Sequence, residues 1–134
     1  MMAANVVNQI HHVGMAVRDL DEALDFLKRV FGAEVLVRKE FSDQKLESAM
    51  VSVGKSTFEL SQSTDPQGLI AKFIESRGPG LHHISLEVEN MDAALKHFKE
   101  NGLRVVGEMK IEKTRVAFLR PESLLGILFE IIQP

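Results

Sequence analysis

Two histidines and two glutamates stand at one constant spacing in this chain of 134 residues. His12 lies 71 positions before His83, and Glu59 lies 71 positions before Glu130. Imidazole nitrogens and carboxylate oxygens together suit borderline divalent cations such as Zn, Co, Ni, Mn or Fe(II). Two carboxylates would neutralise the charge of such an ion, and an octahedral site would leave two positions for water or a bidentate substrate. The four residues are therefore candidate ligands of one catalytic metal.

The constant spacing reflects an internal repeat. Residues 10–17, IHHVGMAV, resemble residues 81–88, LHHISLEV, and further matches follow without a gap. Residues 57–60, TFEL, resemble residues 128–131, LFEI, at the same offset. Two separate similarities at one offset indicate a duplicated module.

Each copy of the module is predicted to be a strand, an amphipathic helix and three further strands. Asp19 and Asn90 can cap the two helices, and a Gly78-Pro79-Gly80 break precedes the second copy. The predicted fold is α+β, with two tandem βαβββ modules (about 9–62 and 81–133) and a linker with a short helix forming a single domain over 1–134. The predicted strands are 10–17, 33–40, 46–53, 57–62, 81–88, 103–109, 114–119 and 126–132, and the predicted helices are 20–31, 69–75 and 91–100.

Strand alternation separates the two members of each adjacent histidine pair. His12 shares a face with Gly14 and Ala16, which are too small to fill space, whereas His11 shares a face with larger apolar residues. His83 repeats the position of His12 in the second copy. A single strand histidine is commonly structural, but two at equivalent positions favour metal binding.

The two glutamates lie in apolar surroundings. Glu130 is the one charge in residues 126–132, and Glu59 stands between Phe58 and Leu60. A buried carboxylate needs a cation, a hydrogen-bond donor or a proton. A salt bridge to Lys or Arg would satisfy either glutamate alone, whereas a metal shared between the modules would satisfy both symmetrically.

The composition excludes several other chemistries. The chain has no cysteine, which excludes disulfides, thiolate zinc sites, iron–sulfur clusters and cysteine nucleophiles. A net charge of −3 without a basic run argues against nucleic-acid binding. No apolar run reaches the length of a membrane span, and the N-terminus has no secretory pattern. We therefore expect a cytoplasmic protein with neither nucleic acid nor membrane as partner.

The opening strand and helix, residues 10–21, resemble those of the vicinal-oxygen-chelate superfamily, which includes glyoxalase I and the bleomycin-resistance proteins. Its members pair βαβββ modules around a cleft that commonly holds a divalent metal. A narrower resemblance, to the methylmalonyl-CoA epimerases, lies in residues 69–75 with 78–84, and in residues 118–121 with 126–130. The metal ligands of the family fall on His12, Glu59, His83 and Glu130.

This resemblance implies an enzyme that interconverts (R)- and (S)-methylmalonyl-CoA, with an acyl-CoA substrate and a homodimeric state. A carboxylate removes the α-proton, a divalent ion (Co, Mn, Ni or Zn) stabilises the enolate, and an acid returns a proton to the other face. The proposed general base of the family falls on Asp43. Glu130 is the second catalytic candidate, with Glu47 as a further one.

The chain departs from the epimerase pattern in its loops. Where the family reads Glu-Gln-Gly-Val, this chain has Asp43-Gln44-Lys45-Leu46, so the base is one methylene shorter, and residues 42–45 equally suit a turn. Residues 109–114 replace a Gly-rich stretch. Arg120-Pro121-Glu122 replaces His-Pro-Lys, and Leu124-Leu125 replaces smaller residues. These differences put the substrate loops, but not the metal ligands, outside the family pattern.

Two other functions stay open at this point. A glyoxalase-I-like lactoylglutathione lyase would use the same ligands on a glutathione hemithioacetal. A non-catalytic ligand-binding or resistance protein of the superfamily would sequester its ligand in the cleft, and such proteins can lack metal ligands. Lys72, Arg77 and Arg120 are available to CoA phosphates, or they form part of a solvated surface.

Overall fold

A computed structural model describes residues 6–120 and 126–134. These residues divide into two compact units. The first unit contains residues 12–82, and the second contains residues up to His11 together with those from His83 onward. The elements in chain order are β1 (Val7–Ala16), α1 (Leu20–Phe31), β2 (Glu34–Phe41), β3 (Leu46–Val53), β4 (Ser56–Ser63), α2 (Leu69–Arg77), β5 (Gly80–Val88), α3 (Met91–Glu100), β6 (Val105–Ile111), β7 (Thr114–Leu119) and β8 (Phe129–Gln133).

In the first unit the strands follow the order β2-β3-β4-β1, with β1 parallel to β4 and the other neighbours antiparallel. Helix α1 packs on one face of this sheet because its leucines recur at helical spacing. The Asp19 side chain caps its N-terminus, and Gly32 ends it in a left-handed conformation (φ 67°). The buried residues of this core are Leu20, Leu24, Leu27, Ala33, Ala49, Val51 and Leu60. Helix α2 packs on the other face, where Ile70 and Ile74 meet Ala16.

The second unit repeats this arrangement, with strand order β5-β8-β7-β6 and β5 parallel to β8. Helix α3 packs on one face, and the side chain of Asn90, the residue before it, caps its N-terminus. The buried residues of this core are Val88, Met91, Ala94, Leu95, Ala117, Leu119 and Ile131. None of the helices in the described parts of the chain is long and apolar enough to cross a membrane.

The strand register confirms the duplicated βαβββ module and the α+β class. Gly14 faces Glu59 across β1 and β4, and Ser85 faces Glu130 across β5 and β8. The neighbouring pairs repeat in the same way at the offset of 71. Because slipping by one residue would turn every side chain to the opposite face, this shared register gives both glutamates the same orientation relative to their helices.

Most predicted elements agree with the structure within two residues at each end, whereas the first and last strands of the chain differ by three residues at their starts. β1 begins at Val7, three residues before the predicted start. The extension is stabilised because Val6 and Val7 pack against the core of the second unit and the Gln9 amide donates to Glu87. β8 begins at Phe129 rather than 126, since Gly126 has a φ of 80° that a strand does not adopt. The single domain over 1–134 stays a prediction.

One repeated interaction escaped the sequence interpretation. The Gln62 side-chain oxygen accepts the backbone N–H of Leu20 at 2.6 Å, and the Gln133 oxygen accepts that of Met91 at 2.6 Å. Gln62 is the next-to-last residue of β4 and Gln133 is the last residue of β8, and each bonds the first residue of the helix in its module. The first N–H groups of a helix have no partner within it, so each glutamine satisfies one of them and ties the strand to the helix.

Replacement of Gln62 or Gln133 by alanine is expected to lower the free energy of unfolding by about 1 kcal/mol each, because a partly buried helix N–H loses its acceptor. Urea unfolding measures the change as a fall of about 0.5 M in the midpoint. Gln67→Ala is the control, since Gln67 is exposed and its recorded bond is made by its backbone N–H. Midpoints equal to that of the control would show that neither bond contributes.

Candidate functional site

The first unit brings His12 and Glu59 together. Met15 on β1 and Val17 directly after it pack against the α1 core, so His12, which alternates with them, points to the opposite face of the sheet. Its side chain is 3% exposed, and its Nε2 lies 3.8 Å from Oε1 of Glu59 on the neighbouring β4. The structure therefore brings these two candidate ligands together within one unit.

The second unit brings His83 and Glu130 together in the same way. The His83 Nε2 lies 3.7 Å from the Glu130 Oε2, and both residues are 9% exposed. Ile131 packs against α3, so the alternation that directs it there directs Glu130 to the other face. The duplication has therefore produced two equivalent histidine–glutamate pairs, one in each unit.

The chemistry of these pairs fits a divalent cation. Each N···O distance exceeds the 3.5 Å limit of a hydrogen bond, yet an imidazole nitrogen and a carboxylate oxygen face each other, with both partners largely buried in the second pair and the Glu59 side chain 24% exposed in the first. Nitrogen with carboxylate oxygen is the ligand combination that Zn, Co, Mn and Ni accept. That one ion is held by all four residues stays a prediction, as does its identity.

A buried hydroxyl lies beside the second pair. Ser85 faces Glu130 across β5 and β8, and it is fully buried. Its Oγ has no hydrogen-bond partner within the described residues. Buried polar atoms are nearly always bonded, so an orphaned oxygen next to a candidate ligand fits a face built to receive a further group.

The structure places Asp43 in an exposed turn between β2 and β3. Residues Ser42–Gln44 form one turn of 3₁₀ helix, and Lys45 ends it in the left-handed conformation with a φ of 57°. The turn predicted for residues 42–45 is confirmed, and the catalytic role of Asp43 stays a prediction. The conformation gives a physical reason for the glycine of the family pattern, because glycine adopts this φ without strain whereas the lysine of this chain costs about 1 kcal/mol.

Glu47 is held in an ion pair away from the histidine–glutamate face. The Arg38 Nε lies 2.8 Å from one Glu47 oxygen, and Nη1 lies 2.6 Å from Asp21. These two carboxylates raise the pKa of the Arg38 guanidinium above its usual value. Glu47 shares a face of β3 with Ala49, which packs against α1. Met50 lies on the other face of β3, where it pairs with Glu59 of β4, so Glu47 points away from the side on which Glu59 lies. The structure therefore does not support Glu47 as a catalytic base.

The remaining residues singled out in the sequence have surface or packing positions. The His82 ring, next to His83 on β5, packs edge-on against Phe73 of α2, with centroids 4.8 Å apart. Lys72 and Arg77 are exposed on α2, and the Arg77 guanidinium lies 5.9 Å from the Phe73 ring centre. Arg120 is half-buried. The loop differences at Pro121, Glu122, Leu124 and Leu125 lie outside the described residues.

Residues 11–118 match the model of the Glyoxalase/Bleomycin resistance protein/Dioxygenase superfamily. The chain is 33% identical to the ethylmalonyl-CoA/methylmalonyl-CoA epimerase of Cereibacter sphaeroides, over 96% of this chain and 99% of that protein. It is 30% identical to the lactoylglutathione lyase of Neisseria meningitidis, over 91% of this chain and 88% of that protein.

Two solved structures are similar over nearly the whole chain. The methylmalonyl-CoA epimerase of Mycobacterium tuberculosis has a TM-score of 0.91 at 29% identity, covering 100% of this chain and 93% of that chain. A Streptomyces coelicolor methylmalonyl-CoA epimerase variant in complex with 2-nitronate-propionyl-CoA has a TM-score of 0.87 at 27% identity, covering 95% of this chain and 97% of that chain.

Proposed function

The chain belongs to the Glyoxalase/Bleomycin resistance protein/Dioxygenase superfamily, and from that membership we propose that it is a methylmalonyl-CoA epimerase. The observation that carries the proposal is its similarity, over 95% of its length, to an epimerase in complex with 2-nitronate-propionyl-CoA. The histidine–glutamate pair in each unit also supports the proposal, because imidazole nitrogen and carboxylate oxygen are suitable ligands for a divalent cation. A cytoplasmic location and a homodimeric state complete the proposal.

His12, Glu59, His83 and Glu130 would together hold a divalent cation such as Co, Mn, Ni or Zn. When bound, the cation supplies Lewis-acid stabilisation of negative charge on the thioester carbonyl oxygen. The donors are well suited to this task, because both histidines are less than a tenth exposed and electrostatic interactions are stronger where water is excluded.

Inversion at the α-carbon requires proton transfer on both of its faces. The Asp43 carboxylate accepts the α-proton of one epimer, which leaves an enolate. The Glu130 carboxyl group then delivers a proton to the opposite face, and the roles reverse for the other epimer. The two groups differ in environment, since Asp43 is exposed in its turn whereas Glu130 is buried on β8.

A deuterium-exchange assay tests the proposal. Protein loaded separately with Co, Mn, Ni and Zn is incubated with (R)-methylmalonyl-CoA in D₂O, and ¹H NMR follows loss of the α-proton. We expect protein-dependent incorporation of one deuterium at the α-carbon together with appearance of the (S) epimer. A sample without protein gives the uncatalysed rate. Exchange no faster than in that sample with every metal would contradict the proposal.

A lactoylglutathione lyase is the second candidate, favoured by the relative of that name from Neisseria meningitidis. Both reactions move a proton at a carbon beside a carbonyl group, so the ligand set does not separate them. The same metal-loaded samples are therefore given the hemithioacetal of glutathione and methylglyoxal. Thioester formation without exchange of methylmalonyl-CoA would favour the lyase, and the absence of both would favour a ligand-binding protein.

A further inference from the structure

The turn that carries Asp43 is fastened to the loop between β4 and α2. The Lys45 carbonyl accepts the backbone N–H of Thr64 at 2.8 Å. The Ser63 hydroxyl lies 3.3 Å from the same carbonyl and 2.7 Å from that of Asp65. The Lys45 N–H closes the turn by donating to the Ser42 carbonyl at 3.1 Å. The backbone at Lys45, two residues after Asp43, is therefore held against this loop by hydrogen bonds.

Gly68 lies beside the Lys45 carbonyl at this contact between the turn and the loop. It is buried, and its φ of −70° and ψ of 157° are accessible to any residue, so backbone conformation does not require glycine here. The close packing around position 68 does require glycine. A Cβ would lie 2.6 Å from the Ser63 Oγ, 3.0 Å from the Lys45 carbonyl oxygen and 3.2 Å from that of Asp65. Two of the three obstacles are backbone atoms, which cannot rotate away.

Gly68 is itself held in place by α2. It is the N-cap of that helix, and its carbonyl accepts the N–H of Lys72 at 3.1 Å. Ile70 and Ile74 fix the helix by packing against Ala16 of β1. Because the helix side is part of a core, a side chain added at position 68 would displace the more exposed turn rather than the helix.

We propose that Gly68 is a positioning residue for Asp43. Because position 68 has no side chain, the Lys45 carbonyl packs directly against residues 63–68. This contact fixes the position of the Asp43 carboxylate, two residues earlier in the chain. The proposal rests on the proposed function, because it matters only if Asp43 transfers the α-proton. It adds to that function a residue that has no chemistry of its own.

The test is Gly68→Ala in the wild-type and Asp43→Ala backgrounds of the metal-loaded full chain. In the wild type we expect kcat for α-proton exchange to fall about tenfold while KM changes less than about twofold, because small misplacements of a catalytic group are costly. In the Asp43→Ala background we expect no further loss, since effects through one group are not additive. Gln67→Ala, an exposed neighbour, is the control with unchanged kcat.

Equal losses of kcat in both backgrounds, or no loss in the wild type, would overturn the proposal. If Gly68→Ala does not fold, the double variant Ser63→Ala/Gly68→Ala removes the nearest obstacle, the Ser63 hydroxyl. It keeps the close approach of the new Cβ to the Lys45 carbonyl oxygen, and its kcat is compared with that of Ser63→Ala alone. A double variant that still fails to fold would show that Gly68 serves the fold, and would also overturn the proposal. Wild-type protein without exchange would instead contradict the proposed function.

Discussion

Replacement of His12 by alanine is expected to lower kcat/KM for α-proton exchange by on the order of a thousandfold, comparable to removing the main stabilising group for a developing oxyanion. The buried His12 Nε2 lies 3.8 Å from the Glu59 Oε1, and an alanine side chain has no atom that could bind a metal in its place. The metal content per chain should fall with the activity. Atomic emission measured after gel filtration, together with the deuterium-exchange assay, checks both expectations.

The matched control for His12 is its neighbour on the same strand. His11 alternates with His12 along β1, so it lies on the other face of the sheet. His11→Ala should keep the metal content and change kcat/KM by less than about threefold, which separates ligand loss from general damage to the strand. If His12→Ala binds metal and exchanges the α-proton as well as His11→Ala does, His12 is not a ligand.

The duplication extends this expectation to the second unit. His83 faces Glu130 at 3.7 Å in the same register as His12 faces Glu59, so His83→Ala should lose metal and activity to a similar extent. His82→Ala is its control, because the His82 ring packs against Phe73 rather than facing the glutamate. A large loss from one histidine and none from its counterpart would contradict a site built equally from both modules.

The equivalent positions of the two histidines and of the two glutamates could be predicted from sequence because a repeat fixes register as well as fold. With β1 parallel to β4 in one copy, the offset of 71 requires the same pairing in the other, and alternation then decides which histidine faces the glutamate. The sequence carried a further signal of this kind that was missed. Gln62 and Gln133 also stand 71 apart, and both bond a helix N-terminus.

Other features depend on contacts that no spacing records. Glu47 pairs with Arg38 because β2 and β3 form a hairpin in which these residues approach diagonally, past a register shift between Val35 and Val37. The packing role of Gly68 arises where two separate parts of the chain meet, residues 63–68 and the turn at Lys45, and a single glycine in a loop does not reveal it. Local periodicity therefore predicts the strands and their faces, whereas the contacts between loops depend on the three-dimensional structure.

Asp43→Ala is expected to lower kcat for α-proton exchange by about a hundredfold to ten-thousandfold, the usual contribution of a general base. Metal content should not change, because the His12–Glu59 and His83–Glu130 pairs remain. The deuterium-exchange assay measures the first expectation, and atomic emission after gel filtration measures the second.

Two variants control this expectation. Asp43→Glu restores the side-chain length of the family pattern and should keep at least about a tenth of the activity, since the carboxylate is present but displaced by one methylene. Asp25→Ala removes another exposed aspartate, one that lies 3.6 Å from Arg29 on α1, and should change nothing measurable in exchange. Full exchange by Asp43→Ala would leave Asp43 as a turn residue only, and the first proton transfer would then have to be made by another carboxylate. Because Glu47 is held by Arg38 on the α1 side of its sheet, that carboxylate would have to be sought elsewhere.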